Sequence, residues 1–276
     1  MKEVCVITGG GSGMGLATAK VMAEKHAIVI SGRTEQKLQK ALDELRSVNI
    51  EASAVVCDVS DRVSVENLAK VAGDLGHVTA VIHAAGISPN MGDPESVLRI
   101  NALGTIHVHE VFYEVMSEGG CLIDVSSMGA YVAPSIILPA RSYRLSGNDP
   151  ELFLKKMLSR TRILPKKFRS GLAYAISKNF MIWYAAHEAP KFAEKKLRVL
   201  SVSPGAFETD MGDLEKDGAD NLVKFCAIKR YGKVEEIAHL LAFCADKRLG
   251  YLTGVDILCD GGCIAGYRNT PFLGRG

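Results

Sequence analysis

Residues 6–20 read VITGGGSGMGLATAK, and no other stretch so narrows what this chain can fold into. An apolar run, Val4 to Ile7, empties into a bend that holds five glycines in seven residues, and a helical pattern follows at once. Glycine loses more conformational freedom on folding than any other residue, so such crowding is expected where a side chain would obstruct something. The chemistry that uses bare backbone in this setting is an anion held against the N–H groups that open a helix.

The rest of the chain repeats the strand–helix rhythm. Apolar runs at 4–7, 27–31, 52–57, 80–83, 121–125, 197–202 and 255–258 read as buried strands. Helical patterns fall between them at 13–25, 34–47, 61–75, 94–116, 173–195 and 233–245. Alternation of this kind predicts an α/β fold: a doubly wound, seven-stranded parallel sheet with helices on both faces. Residues 1–276 read as a single domain without internal repeats or a low-complexity linker. One stretch, 130–172, is too long for an ordinary connection. Within it, residues 141–169 carry nine basic and two acidic side chains, a net +7 against +2 for the whole chain. PELFLKKMLSR inside it predicts a short helix begun at Pro150 and capped by Asp149.

The totals exclude several classes. A net charge of +2 argues against generic nucleic-acid binding. No apolar run is long enough to span a bilayer, and the first strand begins too close to Met1 for a secretory leader, so a cytoplasmic protein is expected. Seven dispersed cysteines, none in a CxxC pair, are expected to be free thiols, and no metal site is expected.

Thr8-Gly9-Gly10-Gly11-Ser12-Gly13-Met14-Gly15 has a TGxxxGxG spacing between strand and helix. This context points to a dinucleotide whose pyrophosphate rests on the helix N-terminus. The second strand ends in IVISGRTEQKL. Gly32 stands where an acidic residue would bind the ribose of NAD, and Arg33 follows it, so NADP is expected in preference to NAD. In GLAYAISKNFM, Tyr174 and Lys178 are four residues apart and share one face of a helix. A phenol is a poor base at neutral pH, and a nearby ammonium would favour its ionised form. His83, His107 and His109 read as structural or surface residues, since the other groups already supply the proton chemistry.

Together these motifs resemble the short-chain dehydrogenase/reductase family, over nearly the whole chain. The resemblance implies a single Rossmann domain with its active site at the strand C-termini. It assigns cofactor contacts to Thr8, Gly9, Ser12, Gly13, Met14, Gly15 and Arg33, and to Asp58 and Val59 in VVCDVSD. The family's Asn-Asn-Ala-Gly stands here as HAAG, so Ala85 and Gly86 keep the pattern while His83 and Ala84 depart from it. The active-site asparagine, serine, tyrosine and lysine correspond to Asn101, Ser127, Tyr174 and Lys178, with Ser126 an alternative to Ser127. Tyr174 and Lys178 also serve the cofactor, and Pro204, Gly205 and Thr209 in SVSPGAFETDM match the segment that orients the nicotinamide.

Ser127 and Tyr174 are 47 residues apart, several-fold more than in most relatives. The long insertion is similar to the branch containing 3α-hydroxysteroid dehydrogenase/carbonyl reductase, where it lies beside the active site and alters subunit contacts. Here it is read either as a basic substrate-side lid or as a subunit-contact element. The expected activity is NADP(H)-dependent interconversion of a ketone and a secondary alcohol, with a lipophilic, steroid-like carbonyl as substrate. Alternatives are reduction of an anionic 3-oxoacyl thioester, a dehydratase or epimerase that retains its cofactor, and a non-catalytic NADP sensor. The expected partners are the small-molecule substrate and further copies of the chain, as a homodimer or homotetramer, with neither nucleic acid nor a membrane span.

Overall fold

A computed structural model describes residues 2–209, 211–212 and 216–269. The strands are β1 (Lys2–Thr8), β2 (Ala27–Gly32), β3 (Ala52–Val56), β4 (Gly76–His83), β5 (Met116–Val125), β6 (Arg198–Pro204) and β7 (Asp256–Cys259). They form one seven-stranded sheet in the order β3-β2-β1-β4-β5-β6-β7, and every neighbouring pair is parallel. The chain winds outward from β1 to β3, then crosses back to begin again at β4 on the other side of β1. Connections above β1 and β4 therefore diverge, and a crevice opens at their C-terminal ends.

The helices are α1 (Gly13–Met22), α2 (Glu35–Ser47), α3 (Arg62–Leu75), α4 (Pro94–Leu98), α5 (Gly104–Val115), α6 (Pro150–Thr161), α7 (Arg169–Glu194), α8 (Lys216–Val223), α9 (Val234–Ala245) and α10 (Cys263–Arg268). Side chains alternate across a strand, and the core follows that alternation. Val4 and Val6 of β1 pack with Val65 and Leu68 of α3, Phe112 of α5 and Phe192 of α7. Cys5 and Ile7 pack on the opposite face with Leu16 of α1, Leu38 of α2 and Leu241 of α9. Strands buried on both sides explain why the sequence shows apolar runs rather than alternation. Arg198, at the start of β6, is buried and donates to the carbonyls of Cys244, Leu252, Ala245 and Asp246, so a cation closes the C-terminal end of α9.

The stretch expected as one helix at 94–116 is divided. After α4, residues Arg99–Leu103 make a π-helical turn before α5 begins. The wider turn adds a residue to the helical path and buries Asn101 completely. Such turns recur at functional sites.

The segment 130–172 folds onto the body of the molecule. Asp149 caps α6 by accepting the Leu152 N–H at 2.9 Å, with Pro150 in the first turn. Tyr143, Phe153 and Met157 are fully buried against Leu98 of α4 and Ile176 and Phe180 of α7, and the Phe153 and Phe180 rings lie 4.6 Å apart. Its apolar side thus covers helices and does not face the crevice. Ile136, Ile163 and Phe168 are among its apolar residues left exposed, Ile136 the most at 83%. No helix among the described residues is long and apolar enough to cross a membrane.

Candidate active site

The crevice over β1 and β4 is floored by the glycine bend, and its geometry accounts for the glycines. Gly9 has φ +70°, and a Cβ there would stand 2.8 Å from the backbone of Ala84 and Ala85. A Cβ on Gly15 would stand 2.4 Å from the Gly9 carbonyl oxygen. The bend is thereby pressed against the start of α1, whose first turn holds no acidic residue. Ser12, at its N-cap, has a hydroxyl not used for capping. The positive end of α1 is open to an anion.

Arg33 and Lys37 line the same crevice at the end of β2 and the start of α2. Both are exposed, and neither has a carboxylate partner among the described residues. Val59 lines it as well, whereas the Asp58 carboxylate accepts the Ser60 N–H and hydroxyl at 2.9 and 2.7 Å. Met14, Ala85, Gly86 and Thr209 complete the wall. Gly205 packs against Asp260, and its N–H donates to the Cys259 carbonyl beyond the end of β6.

Two glycines gather the four candidate side chains. A Cβ on Gly129 would lie 3.0 Å from Tyr174 Cε1 and 3.4 Å from Ser127 Oγ, so the phenol ring and the hydroxyl meet there. A Cβ on Gly86 would lie 3.1 Å from Asn101 Oδ1 and 3.5 Å from Lys178 Nζ, which places the other two beside the crevice. Asn101 is pinned by both ends of its amide: Oδ1 accepts the Ile87 N–H at 2.9 Å, and Nδ2 donates to the Ile87 carbonyl at 3.0 Å. Lys178 Nζ donates to the Val125 carbonyl at 2.9 Å and stands 5.9 Å from the centre of the Tyr174 ring. Burial pushes its pKa down to about 8, opposed by the charge of Asp124. The ammonium is still the main form at neutral pH.

The neighbouring serines divide their work. Ser126 is buried and donates to the carbonyl of Lys178 at 2.8 Å, whereas Ser127 is partly exposed beside Tyr174 and accepts the Gly129 N–H at 3.1 Å. Of the two, Ser127 is the more exposed and borders Tyr174 at Gly129.

Known proteins resemble this chain over most of its length. The short chain dehydrogenase family matches residues 3–139, and the enoyl-(acyl carrier protein) reductase family matches residues 160–263. This chain belongs to the short-chain dehydrogenase/reductase family. It is an oxidoreductase of that family, whose members bind nicotinamide cofactors. A short-chain dehydrogenase/reductase of Alternaria brassicicola is 27% identical over 270 residues, covering 96% of this chain and 97% of that one. A 3-oxoacyl-[acyl-carrier-protein] reductase of Thermotoga maritima is 26% identical over 275 residues, covering 95% and 98%. Among solved structures, a short chain dehydrogenase from Burkholderia cenocepacia in complex with NADP superposes with TM-score 0.74 at 22% identity, over 95% of this chain and 97% of that one.

Against that family frame, His83 acquires a clear structural role. It is fully buried, and its Nδ1 lies 2.8 Å from Thr8 Oγ1 and its Nε2 3.3 Å from Thr105 Oγ1. The Thr105 hydroxyl donates to the Asn101 carbonyl at 2.7 Å, so it accepts from Nε2–H, and Nδ1 in turn accepts from Thr8. Thr8 Oγ1 also accepts the Ala85 N–H at 3.1 Å. One neutral imidazole therefore ties the start of the glycine bend to the wall of the crevice and to the π turn of Asn101. Burial pushes its pKa down to about 4.

Sequence reasoning passed over Lys37, which its position four residues after Arg33 could have signalled. It also passed over Gly129 and the Ile87 backbone, which no residue type announces. His109, expected at the surface or in a structural place, is fully buried with Nε2 2.8 Å from Asp124 Oδ2.

Proposed function

We propose that this oxidoreductase interconverts a ketone and a secondary alcohol with NADP(H). The observation that carries the reading is the meeting of Tyr174 and Ser127 across Gly129, with Lys178 held behind them at the Val125 carbonyl. The glycine cradle and the open N-terminus of α1 fit a dinucleotide pyrophosphate, and Arg33 with Lys37 fits a ribose 2′-phosphate. When bound, the dinucleotide supplies or accepts the hydride. Ser127 hydrogen-bonds the substrate oxygen and Tyr174 passes it a proton. The Lys178 charge favours the ionised phenol in the reverse direction. Asn101 holds the floor of the site through Ile87.

One substrate class has its own support. The insertion displays Arg141, Arg144, Lys155, Lys156, Arg162 and Lys166 on its exposed surface without carboxylate partners among the described residues. Cations so placed would attract an anionic acyl thioester, and one relative carries a 3-oxoacyl-[acyl-carrier-protein] reductase name.

The test is NADPH oxidation, followed by absorbance, against steroid ketones, aromatic carbonyls and 3-oxoacyl thioesters, with Tyr174→Phe alongside. Loss of turnover by roughly 10²- to 10⁴-fold with cofactor affinity retained is expected of the variant. Equal turnover would remove Tyr174 from the chemistry. Tight NADPH binding with no substrate turned over would favour a sensor.

A further inference from the structure

Just inside the site a row of polar side chains crosses the sheet. Thr8, His83, Asp124 and Ser201 are register partners on β1, β4, β5 and β6. By strand alternation all four point to the face covered by α5 and α7. Asp124 is fully buried, and Oδ2 accepts from His109 Nε2, while Oδ1 and His109 Nδ1 have no hydrogen-bond partner among the described residues. The His109 ring packs on Tyr184 and Phe192 at centroid distances of 4.8 and 5.6 Å.

A hydrogen bond to His109 needs only an acceptor, which an asparagine of the same shape would provide. What a carboxylate adds is charge, and a buried charge is costly unless another answers it. Lys178 has the complementary need. Its ammonium is buried, and the partners it donates to are neutral: the Val125 carbonyl and Met181 Sδ at 3.5 Å. Val125 directly follows Asp124 in β5, so the carbonyl that Lys178 Nζ holds at 2.9 Å is one residue along the strand from the carboxylate.

Of the other groups facing Asp124, His109 bonds the carboxylate at Oδ2 and leaves Oδ1 without a hydrogen-bond partner among the described residues. From β4 comes His83, which burial keeps neutral. From α7 comes Tyr184, whose phenol burial pushes up, together with Lys178 itself. From α5 comes His109, and β6 offers only the Ser201 hydroxyl.

We propose that Asp124, oriented by His109, is the buried counter-charge that keeps the Lys178 ammonium protonated. It is a positioning residue, since it touches neither substrate nor cofactor and acts through Lys178. Its catalytic meaning rests on the role given to Lys178 above, but its electrostatic effect can be read without substrate.

The test uses the full chain labelled with 15N-lysine, with the Lys178 side-chain nitrogen followed by NMR across pH and assigned by its absence in Lys178→Arg. Asp124→Asn keeps the shape and an acceptor for His109, and should lower the Lys178 midpoint by about one pH unit or more, a tenfold change in its protonation equilibrium. His109→Gln keeps the carboxylate and a donor to it, and should move the midpoint less than half as far. Should the single amide variant not fold, Asp124→Asn with His109→Gln pairs two neutral amides and should show the full drop. An unmoved midpoint in a folded variant lacking the carboxylate would overturn the proposal, as would equal drops in Asp124→Asn and His109→Gln. Because the titration reads Lys178 directly, it stands apart from the Tyr174→Phe assay. A drop beside unimpaired Tyr174→Phe turnover would sustain the counter-charge and sink the reading of the site.

Discussion

Replacing His83 with asparagine removes one titrating group from the centre of the molecule, and the structure sets the size of the effect. In the unfolded chain an imidazole takes up a proton near pH 6.5. Folded, His83 is held neutral until about pH 4, because burial penalises the charged ring and both nitrogens are already committed. Its folded pKa lies below its unfolded one, so the unfolded state binds more protons throughout that window. Stability is then lost as pH falls through 6.5 towards 4. The gap amounts to about 3 kcal/mol in full, of which about 2 kcal/mol is lost between pH 7 and pH 5. Urea unfolding of wild type and His83→Asn, followed by circular dichroism at several pH values, isolates this contribution. Every other group titrates in both proteins, and the lost hydrogen bonds give a constant offset. The difference in unfolding free energy between wild type and variant should shrink by about 2 kcal/mol on going from pH 7 to pH 5. Parallel curves would show that His83 does not titrate as the burial argument requires.

The two serines should separate by assay. Ser127→Ala should lower turnover by roughly 10²-fold with little change in melting, whereas Ser126→Ala leaves the buried Lys178 carbonyl without that donor and should cost about 1–3 kcal/mol of stability. Arg33→Ala with Lys37→Ala should weaken NADPH binding by roughly tenfold or more while leaving NADH nearly unchanged, as titration calorimetry would show; an equal loss for both cofactors would refute the 2′-phosphate assignment. Phe153→Ala should lose about 3–5 kcal/mol in urea unfolding, and a loss below about 1 kcal/mol would mean that the insertion packs loosely.

The sheet was legible from pattern because a strand buried on both faces is an apolar run bounded by turns. Where the ends of strands reach the surface the signal fades. β4 and β5 begin at Gly76 and Met116, several residues before the runs at 80–83 and 121–125, and the extra residues include the exposed His77 and Glu118. The π turn at Asn101 was hidden for another reason. Its residues suit a helix, and the bonding of the Asn101 amide to Ile87 within it is a tertiary contact that no local pattern shows. The glycine bend and the Tyr174–Lys178 spacing were visible because local geometry fixes them. The network around His83 and the burial of His109 with Asp124 depend on which strands stand side by side, and a histidine carries no mark of that in one dimension.

The apolar side of residues 130–172 binds the fate of that segment to the helices under it. Residues beneath it, such as Leu98, Ile176 and Phe180, are free to be greasy only because Tyr143, Phe153 and Met157 shelter them. Excising residues 130–172 would leave that helix face bare and sticky. The segment therefore cannot be cut away alone: the apolar residues it covers would have to be replaced with it.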